Sequence, residues 1–224
     1  MAIPAQYTFS ASDSQAICLF QTTGAAGALT INGTLLDQNA VAVGVRRAYM
    51  TGAWGRVASL TSTGNLNGIN FTIAGRDVYG STVTETRAGP NNGTVATTQE
   101  YAVVTSVTAD AAVSTNCAVG IGTTGSTRPF TASTQITPAN FALYGIVTNT
   151  ITWSVQDTPT NIEALISGGG SPSSISWLNH PTLSSATGSG SSNYAFPVRY
   201  IRGVVNSSTS NATCQLTITQ AGLT

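Results

Sequence analysis

Short runs rich in Val, Ile, Thr and aromatic residues, each bounded by Gly, Asn, Ser or Pro, recur along the chain, and a helical hydrophobic period almost never replaces them. Such a chain can bury its apolar side chains only by pairing strands into sheets and stacking the sheets face to face. The pattern predicts strands at 15–21, 28–36, 41–50, 55–62, 68–75, 81–87, 99–108, 116–122, 143–155, 196–206 and 212–219. The one stretch with helical character is TNIEALIS, where Asn161 is placed to cap and Glu163 falls in the first turn.

Two blocks of the pattern recur in order. INFTIAGRD (69–77) matches ITWSVQD (151–157), with Ile69, Phe71 and Ile73 falling on Ile151, Trp153 and Val155. Tyr101 to Ile121 then matches Tyr194 to Ile218: Val104 and Val107 correspond to Val198 and Ile201, and each pair is followed by a loop, a cysteine, and Ile four positions later. Chance likeness between Thr-rich strands is the competing reading. A length of 224 residues suffices for two small cores. The expected fold is therefore all-β: two tandem β-sandwich or jelly-roll-like domains, 1–126 and 127–224, with little helix, joined through GTTGSTRPFTAST. Within the second, residues 167–193 are Gly- and Ser-rich yet contain Trp177, Leu178 and Leu183. This loop is expected to become ordered only on assembly.

Only 7% of residues are charged, eight basic against eight acidic, and all eight basic residues are arginine. Without a basic stripe the chain cannot neutralise a run of phosphates, which argues against nucleic acid and anionic membranes as partners. Without lysine there is no Schiff base, phosphate-loop lysine or Ser-x-x-Lys nucleophile. No apolar run approaches the roughly 20 residues that span a bilayer. MAIPAQYTFSASDSQAICLF also lacks a basic segment leading into an apolar one, so no signal peptide is expected. Cys18, Cys117 and Cys214 each lie in an apolar strand pattern and read as inert core thiols. Asn32, Asn70, Asn92, Asn206 and Asn211 begin Asn-x-Ser/Thr triplets, as expected by chance in this composition.

Candidate chemistry is sparse. In GINFTIAGRDVYGSTVTETRAGPNNG a hairpin carries Arg76, Asp77, Glu85 and Arg87, and Asp77 with Glu85 is the one local carboxylate pair. The arginines that bracket them point instead to cross-strand ion pairing. Period two places Glu85 and Arg87 on the face of Val83, so a bulge or a solvent-facing strand end is expected there. His180 is the sole histidine, which excludes a two-histidine metal site within one chain. No Gly-x-Ser-x-Gly elbow accompanies it. Neither a catalytic set, a cofactor site nor a metal site is expected. Trp54, Trp177, Leu178, His180 and Pro4 are the expected interface residues: the tryptophans as exposed anchors, Pro4 within an arm, MAIPAQYTFSAS, that extends along a neighbouring subunit.

The run GINFTIAGRDVYGSTVTETRAGPNNGTVATTQEYAVVTSVTADAAVSTNCAVGIGT resembles structural proteins of tailed bacteriophage particles, and NYAFPVRYIRGVVNSSTSNATCQLTITQAG is similar to their closing strand pair. Together these cover about two fifths of the chain and consist of β-turn chemistry without a catalytic residue. The resemblance implies a non-enzymatic virion component, assembled in the host cytoplasm, whose partners are its own copies and other virion proteins such as the major capsid protein. A compact β-protein without heptads is a poor rod, which favours capsid decoration over a tail, collar or fibre-base part. A protein of another class, carbohydrate-binding or glycan-active, would use Asp77 and Glu85 or the loop holding Trp177 and His180.

Overall fold

The computed structural model describes residues 3–133 and 140–220. The first strands are β1 (Ile3–Phe9), β2 (Asp13–Gln21) and β3 (Gly27–Ala28), followed by helix α1 (Gln38–Val41). Next come β4 (Ala48–Tyr49), β5 (Trp54–Asn65), β6 (Asn70–Arg76), β7 (Thr82–Ala88), β8 (Asn91–Tyr101) and β9 (Val103–Ala109). Strands β10 (Cys117–Thr127), β11 (Phe130–Thr131), β12 (Phe141–Thr148) and β13 (Ile151–Thr158) lead to α2 (Ile162–Ser167). Strands β14 (Leu178–Asn179), β15 (Gly190–Tyr194), β16 (Tyr200–Ser208) and β17 (Thr213–Gln220) close the described chain. The protein is almost all β, and the strand pairings whose register is described are antiparallel.

Residues 12–51 and 55–123 form one compact unit, and residues 1–11, 52–54 and 124–224 form the other. In the first unit, β3-β9-β6-β7, with β4 beside β9, makes one sheet; β10, β5 and β8, with β2 beside β10, make another. Ile17, Leu60, Phe71, Ile73, Val107 and Val119 are among the side chains of its core. In the second unit, β1-β17-β12-β15 makes one sheet, and β14, β13 and β16, with β11 and the end of β10 beside β16, make another. Its core is more aromatic, built around Phe9, Trp54, Phe141, Trp153 and Tyr194.

Both recurring sequence blocks occupy equivalent places. In the first unit β6 pairs with β9, and the cysteine strand β10 lies in the other sheet. In the second, β13 pairs with β16, and the cysteine strand β17 lies in the other sheet. Register separates them: Ile73 lies opposite Val107, whereas its counterpart Val155 lies opposite Gly203, two positions beyond the counterpart Ile201.

Several expectations are corrected. The N-terminal segment is not a free arm, because β1 pairs along its whole length with β17, from Ile3 opposite Gln220 to Phe9 opposite Cys214. Strand β1 thus falls within the second compact unit, whose main segment begins at 124. Trp54 is no exposed anchor: it is 1% exposed, and Phe9 meets it edge to face at 5.0 Å. The strands expected at 28–36 and 41–50 shrink to β3 and β4. In between, Asp37 caps α1 and Val43 and Val45 stand in solvent, so apolar content there does not reflect burial.

Helix α2 forms at TNIEALIS, and Asn161 Oδ1 accepts the Ala164 N–H at 3.2 Å as its cap. Cys18, Cys117 and Cys214 are free and buried. Burial pushes their thiols up to about 12, 11 and 12 respectively, away from the reactive thiolate.

Gly145 lets the sheet containing β12 lie flat on Trp153, since the indole's six-membered ring occupies the place a Cβ would take. Gly145→Val is expected to destabilise the protein by about 1–3 kcal/mol through overpacking, read as a lower denaturant midpoint with an unchanged slope.

Candidate functional site

The charged hairpin is committed to backbone groups. Asp77 Oδ1 accepts the N–H groups of Tyr79 and Ser81, each at 2.9 Å, closing the β6–β7 turn, and Arg76 donates to the Gly80 carbonyl at 2.7 Å. Burial raises the Asp77 carboxyl above its ordinary value against the opposing pull of these backbone bonds.

Glu85 lies opposite Ile73 and Arg87 opposite Phe71, so both sit on the Val83 face, as period two requires. No bulge intervenes in β7 itself, which pairs with β6 without a register shift; the irregularity lies instead on β8. Val57 pairs with Glu100 and Ser59 with Ala96, leaving residues 97, 98 and 99 against Ala58 alone. Thr97 Oγ1 accepts the Ala58 N–H at 2.9 Å. The displaced Thr98 and Gln99 N–H groups turn to the Glu85 carboxylate, at 3.0 and 2.8 Å. Arg87 Nε stands 3.6 Å from Glu85 on the same strand, which replaces the cross-strand pairing expected of these four charges.

His180 is 3% exposed rather than a surface contact. Its Nδ1 accepts from the N–H groups of Thr182 and Leu183 at 3.2 Å, and its Nε2 faces the Asn193 carbonyl at 3.2 Å. Two donors at Nδ1 and an acceptor at Nε2 assign the neutral ring protonated at Nε2. Tyr194 meets the imidazole edge to face at 4.7 Å and donates to Asp157 Oδ1 at 2.9 Å. Burial, reinforced by the Asp157 charge, raises the Tyr194 hydroxyl's pKa.

The rest of the loop at 167–193 is likewise built in, against the expectation of order only on assembly. Leu178 and Asn179 pair with β13, Ile175 and Leu183 are buried, and β15 pairs with β12. Trp177 is half-buried beneath the Arg202 guanidinium, 4.0 Å above its ring, and so is no open platform. Arg202 in turn donates to Gln156, and Gln156 to Asn179. Leu178 is exposed, and Pro4 is exposed but fixed within β1.

The sequence reading passed over other exposed apolar groups. Val43, Val45 and Tyr49 cluster after α1, on a segment whose base is held by Arg47 donating to Asp37 at 2.9 Å. Strand β12 presents Tyr144 and Ile146 outward, 49% and 59% exposed, beside an open groove of about 530 Å³. Register places Thr217 and Ser191 on either side of Tyr144, and Gln215 beside Ile146. Alternation in FALYGIVT carried this signal, since Phe141 and Leu143 face the core and Tyr144 falls out of phase with them. Among the described residues, no group of three or more His, Cys, Asp or Glu is placed to hold a metal ion. No family model, curated protein or solved structure matches the chain.

A carboxyl whose pKa is higher folded than unfolded favours folding while protonated, and that contribution fades as pH rises past the ordinary 3.8 and through the folded value. Asp77→Asn keeps an acceptor oxygen but removes this ionisation. Its stability relative to wild type is therefore expected to improve as pH is raised through that window, checked by chemical denaturation across a pH series.

Proposed function

We propose that this chain is a non-enzymatic structural protein of a phage particle, one that decorates and stabilises the outer surface of the capsid. Support comes first from the residues it shares in pattern with virion proteins, all of them turn and strand chemistry. The observation that carries the reading furthest is the division of labour among its side chains. Asp77, Glu85 and His180, the groups best suited to chemistry, bond to backbone within their own units, whereas Val43, Val45 and Tyr49 project from a braced segment into solvent. Exposed apolar side chains on a fixed base suit a protein that acts by packing on its neighbours.

The mode of attachment differs from an extended arm. With β1 engaged by β17, the contact is assigned to the Val43 to Tyr49 segment.

Particles lacking this chain are expected to assemble around DNA but to rupture at lower temperature than complete ones. Val43→Asp with Val45→Asp is expected to release the protein from particles without unfolding it. Quantifying the chain in purified particles tests its position: a copy number that scales with the shell supports decoration, and only about six or twelve copies would assign it to neck or tail.

A further inference from the structure

We propose that the outer face of the β1-β17-β12-β15 sheet binds a neutral glycan chain, with Tyr144 as the stacking residue. This inference stands on the sheet face alone and is independent of the virion reading.

Three properties of the face select the ligand. First, it is free of charge: the residues that alternation turns outward on its four strands are Thr, Ser, Gln, Asn, Ala, Pro, Tyr and Ile among those described. Phosphate backbones and acidic polymers need cationic partners, and none stands here. Second, β12 is hydrogen-bonded to β17 on one side and β15 on the other, so no strand edge is open at Tyr144 for a peptide to extend. Third, Tyr144 and Ile146 are isolated among hydroxyl and amide groups, too little apolar surface to form the dry centre of a protein interface.

A sugar chain meets each of these conditions. Its C–H face can lie on the exposed Tyr144 ring while its hydroxyls exchange hydrogen bonds with Thr217, Ser191 and Gln215. The groove beside the ring, about 530 Å³, falls within the size range of ligand sites. It is open along the sheet, which suits a polymer better than a small molecule that must be mostly enclosed. The platform is also rigid. Trp153 fills the space under Gly145, its indole N–H donates to the Gly188 carbonyl at 3.0 Å, and Ser189 Oγ accepts the Val147 N–H at 3.0 Å. A surface fixed before binding loses little conformational freedom when the ligand arrives.

The test is an array of uncharged oligosaccharides followed by affinity electrophoresis in gels containing the neutral polysaccharides that score, using the full chain. Wild-type protein should be retarded, with little change between about 50 and 500 mM salt. Tyr144→Ala should weaken binding roughly tenfold or more, and Tyr144→Phe and Trp177→Ala should each stay within about threefold of wild type. Unchanged circular dichroism would confirm that the variants fold. The proposal would be overturned by absence of neutral-glycan binding, by preference for charged glycans, by loss on Trp177→Ala instead, or by indifference to Tyr144→Ala. Sedimentation showing that Tyr144→Ala breaks a dimer of this chain would also overturn it, by assigning the face to a second copy.

Discussion

Every interruption of a β-ladder leaves backbone N–H and C=O groups that must find another partner, and a chain with so few charges has few strong groups with which to supply one. The fold depends on how that need is met. At the β8 bulge it is met by Glu85, at the β6–β7 turn by Asp77, and just after β14 by His180. Elsewhere neutral side chains suffice: Gln220 both donates to and accepts from Ser133, and Asn161 caps α2. A buried backbone group left without a bond costs about 1–3 kcal/mol, a sizeable part of the stability of a small unit.

That requirement explains why the side chains the sequence offers for chemistry are engaged by backbone groups in the fold. A carboxylate that accepts two amide N–H groups from a neighbouring strand is a better structural acceptor than a proton shuttle. An imidazole with backbone groups on both nitrogens is held in one tautomer. Arg56 follows the same logic: buried, with its guanidinium donating to the Gly122 carbonyl, its pKa is lowered by burial to about 10, with the Glu100 charge opposing.

Much of the fold was legible because period two reports directly which side chains face inward. Phe71 and Ile73, and likewise Trp153 and Val155, are buried where alternation put them, and Asn161 caps where its position before IEAL implied. Burial itself was less legible. The packing of Trp54 depends on Phe9, 45 positions away in sequence, which no local pattern reveals. The VAVGV run failed in the opposite sense, apolar yet solvated, because α1 and its cap turn the chain outward there. The docking of β1 on β17 joins opposite ends of the described chain and has no local signature either. Tyr144, in contrast, was readable from its phase alone.

The central claim is that the Glu85 carboxylate closes the backbone of the β8 bulge. Native-state hydrogen exchange measures this most directly, at the amides of Thr98 and Gln99. The account predicts that both are protected in the wild-type protein and that Glu85→Ala deprotects these two selectively, leaving core amides such as those of Phe71 and Ile73 slow. Rapid exchange of Thr98 and Gln99 in the wild type, or protection unchanged by removing Glu85, would contradict it.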